Sequence, residues 1–143
     1  MVKHRKLILI FAAVLILLAA AAAWLLIPRS CFPPNQEIKT THITAFDDTG
    51  DPIRLAEDTD LSALNAALAQ LQRRELSSLM KAYPLKDVAY EINGLCGDSP
   101  FCIVLRKDGT GFIYHPGNAR YTLRYPLVDA AQWVALLDGL TAK

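Results

Sequence analysis

FCIVLRKDGTGFIYH, Phe101 to His115, decides the fold. Phe101, Ile103 and Leu105 alternate onto one face of a strand, and Asp108-Gly109 within Lys107 to Gly111 supplies the left-handed backbone that a tight hairpin turn demands. Phe112 to His115 then returns as a second strand. Strands joined by so short a turn pair antiparallel, so the sheet grown around this hairpin is expected to be antiparallel.

Outward from it, Val88, Tyr90 and Ile92 repeat the alternation on the N-terminal side. On the C-terminal side a second turn at Pro116, Gly117 and Asn118 leads to Tyr121, Leu123 and Tyr125. Further upstream, Glu37 to Phe46 is rich in Ile and Thr, Asp47 to Pro52 holds turn residues including Gly50, and Ile53 to Leu55 completes a β-hairpin. From Asp60 the period changes: Leu61, Leu64, Leu68 and Leu71 recur at helical spacing, with Thr59 or Asp60 as the cap. A closing helix carries Trp133, Leu136, Leu137 and Leu140 as its stripe, with Asp129 as its cap. The order is strand, strand, helix, four strands, helix. Short connections then favour an α+β domain of two layers, a mostly antiparallel sheet with both helices on one face.

The N-terminus belongs to a different regime. Met1 to Lys6 is a cationic head, and Leu7 to Ile27 is an unbroken run of 21 apolar residues. As a helix that run spans about 31 Å, the hydrocarbon thickness of a bilayer. Lys3, Arg5 and Lys6 precede it and only Arg29 follows closely, so the positive-inside rule keeps the head cytoplasmic and exports everything from Pro28 onward. Trp24 then lies near the outer interface. The rival reading is a cleaved signal peptide, with Leu7 to Leu18 as its apolar region and Ala19 to Ala23 as the cleavage site. Both place the domain on the same side of the membrane. Cys31 follows Pro28, Arg29 and Ser30, which is not a lipobox. Residues 28–36, with Pro33 and Pro34 adjacent, read as an extended extracytoplasmic tether, and 37–143 as the domain.

Beyond the apolar run the chain has twelve basic and fourteen acidic residues and no basic stripe, so nucleic acid is not an expected partner. Cys96 and Cys102 flank a turn-like loop in an oxidising compartment, which suggests a disulfide between them. Cys31 is then either free or the cross-link of a homodimer, and its pairing with Cys96 or Cys102 is the remaining alternative. His42, His115, Cys96 and Cys102 lack the short paired spacings of zinc ligands, and Asp47, Asp48 and Asp51 lack the rest of an EF-hand loop. Asp48-Thr49-Gly50 matches the aspartic-protease triplet, but Asp47 stands where those enzymes carry an apolar residue, so a turn explains it better. Neither G-x-S-x-G nor a phosphate- or dinucleotide-binding glycine pattern is present. No catalytic residue, cofactor or metal ligand is assigned, and an enzyme is not expected.

The strand-turn-strand Lys39 to Leu55, the Leu-rich helix after it and the Phe101 to His115 hairpin leading to Tyr121-Thr-Leu together resemble the small membrane-tethered or lipoprotein domains of unknown function displayed by Gram-positive bacteria. That resemblance covers most of Glu37 to Leu140 and implies no activity. The function expected is a protein-interaction or accessory module of the cell membrane, single-pass, in contact with the lipid bilayer and an envelope protein. A ligand sensor or carrier is the alternative, using a sheet face on which Tyr114, Tyr121 and Tyr125 gather. A small hydrolase is the third class.

Overall fold

Helix α1 (Val2–Leu26) is apolar on every side from Leu7 onward, and no residue of its apolar stretch is buried, in keeping with the uninterrupted run in the sequence. It is long and apolar enough to cross a membrane. The structure, a computed structural model, describes residues 2–55, 60–80, 83–117 and 122–141. After α1 come β1 (Arg29–Ser30), β2 (Ile38–Phe46), β3 (Pro52–Arg54), α2 (Ser62–Leu68), β4 (Gln72–Arg73) and β5 (Ser78–Leu79). A 3₁₀ turn (Leu85–Asp87), β6 (Val88–Cys96), β7 (Ser99–Arg106), β8 (Gly111–Tyr114), β9 (Leu123–Pro126) and α3 (Ala130–Thr141) complete the chain. Seven strands form one antiparallel sheet in the order β3-β2-β6-β7-β8-β9-β5. This is the α+β architecture read from the sequence.

The hairpin that decided the fold is formed by β7 and β8, with Ile103 opposite Ile113 and Val104 opposite Phe112. Gly109 at its turn has φ of 82°, the backbone that only glycine adopts without strain. One sheet face carries Ile43, Ala45, Tyr90, Ile92, Phe101, Ile103, Leu105 and Ile113, covered by Leu64 and Leu68 of α2 and by Ala130 and Leu137 of α3. Each leucine so buried is worth about 1.5–3 kcal/mol against exposure. The stripe of α3 differs from the sequence reading: Leu136 and Leu140 are exposed, whereas Ala130, Val134 and Leu137 face the sheet. A helix apolar nearly all round does not specify by its period which face docks.

The other face is also covered. Val88, Cys102, Val104 and Phe112 are buried there beneath Phe46, Met80 and Tyr83, because the chain leaves β5 at one edge and crosses the sheet to reach β6 in its middle. Tyr83 meets Phe112 edge to face at 5.6 Å between centroids. Val88 reaches this face through an irregularity in the β6–β7 pairing between Val88 and Tyr90, so it does not share a face with Tyr90 and Ile92 as strict alternation predicts.

Residues 28–36 are not a free tether. Arg29 and Ser30 pair with Arg73 and Gln72, Cys31 N–H donates to Leu71 O at 2.9 Å, and Cys31 and Phe32 are buried. Phe32 packs edge to face on Phe101 with centroids 4.8 Å apart. The aromatic side chain draws this segment into the core, and only from Pro33 onward does it return to the surface. Another contact closes the end of α1: Arg74 Nη1 donates to Leu26 O at 2.9 Å, a cation against the negative end of a helix.

Strand β2 is nine residues long, but β3 covers only Thr44, Ala45 and Phe46. Where that cover ends, α2 leans over the strand. Asn65 Oδ1 accepts Thr40 N–H at 3.0 Å and the Thr40 hydroxyl at 2.6 Å, next to a pairing irregularity at Thr40/His42.

Candidate functional site

Where β2, β3 and β6 end beside the C-terminal half of α3, the helix and the hairpin diverge and leave a groove of about 920 Å³. Its walls are apolar, from Ala45, Ile53, Leu55, Val134 and Leu140, and Tyr90, Asp138 and Thr141 form a polar cluster at one side. The Tyr90 hydroxyl donates to Asp138 Oδ1 at 2.5 Å and lies 3.3 Å from Thr141 Oγ1, which in turn donates to Asp138 O at 3.2 Å. Burial, and secondarily the bond to Asp138, raise the Tyr90 pKa, so the proton stays on the phenol and the pair acts as fixed donor and acceptor.

At the opposite rim the turn Asp47 to Asp51 holds Asp48 outward. Asp47 Oδ1 accepts from Thr49 N–H at 2.9 Å, Thr49 Oγ1 at 2.7 Å and Asp51 N–H at 2.9 Å. The sequence reading placed a turn here, and the structure adds that Asp47 bonds it together. Lys107 reaches over from the β7–β8 hairpin to Asp47 O at 2.6 Å and to Asp48 Oδ1 at 3.1 Å. Among the described residues, Asp48, Asp60 and Asp138 border the groove, and Lys107 there is engaged by Asp48. The described carboxylates outnumber the described cation beside apolar walls, a balance complementary to a positively charged group.

The tyrosines expected to gather do not share a face. Tyr114 stands opposite Cys102 and Arg124, on the face crossed by the chain, whereas Tyr125 stands opposite Ile113 and packs on the helix side beneath the Arg73 guanidinium at 4.0 Å. Consecutive strand positions alternate, so residues 114 and 125, paired with neighbours on opposite faces, are separated by the sheet itself. Tyr121 lies outside the described residues. On the face of Tyr114 a polar chain runs from Tyr83, whose hydroxyl donates to Glu91 Oε2 at 3.0 Å, through Asn93 Nδ2 to Glu91 Oε1 at 3.0 Å, to His42 Nε2 at 3.2 Å from Asn93.

The Cys96–Cys102 disulfide is not formed. The register sets Cys96 opposite Ser99 and Cys102 opposite Asn93, which points the two thiols to opposite faces. All three cysteines are free. Cys31, which was read as either free or the cross-link of a homodimer, is buried beside Phe32. Burial pushes the Cys31 and Cys102 thiols up to about 12 and raises Cys96 as well. Among the described residues no three of His, Cys, Asp and Glu converge to hold a metal ion.

Sequence reasoning noticed Asp48 but missed Tyr90, Lys107 and Asp138. The one signal available was Tyr90 itself, a polar-tipped side chain at an inward position of β6, which needs a partner where it is buried. No protein-family model, curated protein or solved structure matches the chain.

Proposed function

We propose that the chain is a single-pass, membrane-anchored binding module of the cell envelope, of the kind that small Gram-positive surface domains represent, and that a segment of an envelope protein occupies its groove. The observation that carries this reading is the groove itself: open to solvent, walled by exposed Ile53 and Leu140, and edged by three carboxylates. Such a surface fits a peptide segment presenting a basic residue between apolar ones. Its polar cluster is closed upon itself through Tyr90 and Asp138, an arrangement suited to recognition rather than to proton transfer. The cationic residues Lys3, Arg5 and Lys6 at the start of α1 support an exported domain.

The test is a photoreactive side chain introduced at Ile53 in the full-length protein in its native membrane, with a control at Leu85, an exposed residue of the 3₁₀ turn outside the groove. A single protein adduct from Ile53, absent from Leu85 and lost with Asp138→Ala, is expected. No protein adduct at Ile53, or the same adducts at both positions, refutes the proposal.

A further inference from the structure

The sheet face turned away from α2 and α3 carries a second concavity. Leu76, Ser78, Arg106, Phe112, Arg124 and Pro126 border a cleft of about 230 Å³ there. The register brings them together. Val104 stands opposite Phe112, Tyr114 opposite Arg124, and Arg124 opposite Ser78, so Phe112, Arg124 and Ser78 share one face, and Arg106, two residues after Val104, joins them. The two arginines are not neighbours along the sheet. Arg106 is at the level of Thr110, whose O accepts its N–H at 2.8 Å, whereas Arg124 is at the level of Tyr114 on β9, two strands away. Strand dimensions set their Cα atoms on the order of 15 Å apart. Both guanidiniums nevertheless reach in over the same ring, the Arg106 Cζ at 5.6 Å and the Arg124 Cζ at 5.2 Å from the Phe112 centroid.

Each of these contacts alone is a cation–π pair. Together they gather two half-buried like charges at one ring, and among the described residues no carboxylate pairs with either; the ion pairs are Arg73–Glu75 and Lys107–Asp48, away from the cleft. Hydrogen bonds from Thr110, and in smaller part the charge of Arg106, hold the Asp108 carboxyl below its ordinary value, but that carboxylate is engaged within its own turn and does not border the cleft. Arg124 is oriented as well as charged. Its Nε donates to Ser78 Oγ at 2.8 Å, which fixes the guanidinium plane and leaves both terminal amino groups to a ligand. The Ser78 hydroxyl, having accepted that bond, keeps its own proton to donate. The cleft thus offers positive charge and donors, with Leu76 and Pro126 as an apolar margin.

We propose that this cleft binds a phosphate group, held by the Arg106 and Arg124 guanidiniums with the Ser78 hydroxyl as a third donor. A phosphate has enough oxygens on one tetrahedral centre to accept from two guanidinium forks and a hydroxyl at once, whereas a carboxylate has two. The volume is below that of a cavity for a drug-sized molecule, so little of the ligand beyond the phosphate is enclosed. The site is independent of the groove, which lies on the helix side of the sheet.

The experiment is a titration of the ¹⁵N-labelled full-length protein in a neutral detergent with inorganic phosphate, at ionic strength held constant with chloride. Saturable shifts are expected at the Thr110 and Gly111 amides and none at Gly50 in the turn on the far hairpin. Arg106→Gln and Arg124→Gln should each weaken binding by at least about tenfold, the loss of a charged hydrogen bond. Arg124→Lys, which keeps the charge without the fork, should fall between them and the wild type, and Lys39→Gln, an exposed charge outside the cleft, should change nothing. Glycerol 3-phosphate and micelles doped with phosphatidylglycerol then compete against inorganic phosphate. Displacement by the doped micelles marks a lipid headgroup as the source, displacement by glycerol 3-phosphate alone a soluble ester, and displacement by neither free phosphate; the site stands in each case. Shifts that do not saturate, that are equal at Gly50 and Gly111, or that persist unchanged in both glutamine variants overturn the proposal.

Discussion

Replacing Gly94 by alanine should destabilise the domain far more than one methyl group suggests. Gly94 lies in β6 opposite Phe101 and beside Thr40 of β2. A Cβ there would sit 2.6 Å from Phe101 Cζ, 2.9 Å from its Cε1 and 2.6 Å from Lys39 O. Carbon contacts settle at roughly 3.5–4.0 Å, so the overlap is about 1 Å on two sides at once. Neither neighbour can give way easily. Phe101 is 1% exposed and held by Phe32, and Lys39 O belongs to the backbone of a paired strand. Overpacking of this kind costs about 1–3 kcal/mol, and the upper half is expected here because the backbone contact cannot be relieved by a rotamer change. The measurement is urea unfolding of the full-length protein in detergent, read by pulse proteolysis. Phe101→Leu removes the ring atoms that clash, so the double variant should be more stable than the sum of the single effects by about 1 kcal/mol or more. A Gly94→Ala variant within about 0.5 kcal/mol of the wild type would refute the packing described for this core.

Three further outcomes are expected. Native protein alkylated without reductant should yield no linked Cys96–Cys102 peptide, and the three thiols should react with a thiol reagent only as the domain unfolds; a disulfide found by mass spectrometry would contradict the register. Because burial raises Cys31 and Cys102 from 9.0 to about 12, the unfolded chain releases these protons first, so stability should fall as pH rises through 9 toward 12 and be insensitive to them below 8. Asn65→Ala should cost about 1–3 kcal/mol, since it strips the acceptor from the N–H and the hydroxyl of buried Thr40. A cost below about 0.3 kcal/mol in the same unfolding assay would show that Thr40 finds another partner.

Much of the fold was legible because the decisive signals were local. Asp108-Gly109 between alternating apolar runs could form little other than a hairpin, and Leu64 and Leu68 recur at the spacing that turns one helix face to a sheet. What escaped depends on contacts far apart in sequence. Arg29–Ser30 and Gln72–Arg73 are too short to announce themselves as strands and exist through each other. Pro33-Pro34 suggested a tether, yet the chain docks one residue earlier through Phe32. The separation of Cys96 from Cys102 turns on register, where parity decides which face a thiol sees. The groove was illegible for the same reason: Tyr90 and Asp138 are 48 residues apart and meet only once α3 has docked.

The bond between Asn65 and Thr40 has a consequence beyond the stability of one molecule. If α1 spans a membrane as proposed, the chain diffuses in two dimensions with its neighbours similarly oriented, and the effective concentration of one strand edge near another is far above that in solution. The half of β2 that β3 leaves uncovered is the kind of edge on which identical copies would zip into a growing sheet. Asn65 occupies the donor that such a pairing would use, and the adjacent irregularity spoils the spacing on either side. A single carboxamide thus occupies a donor that a templating copy would need, and its loss should matter most where the protein is most crowded.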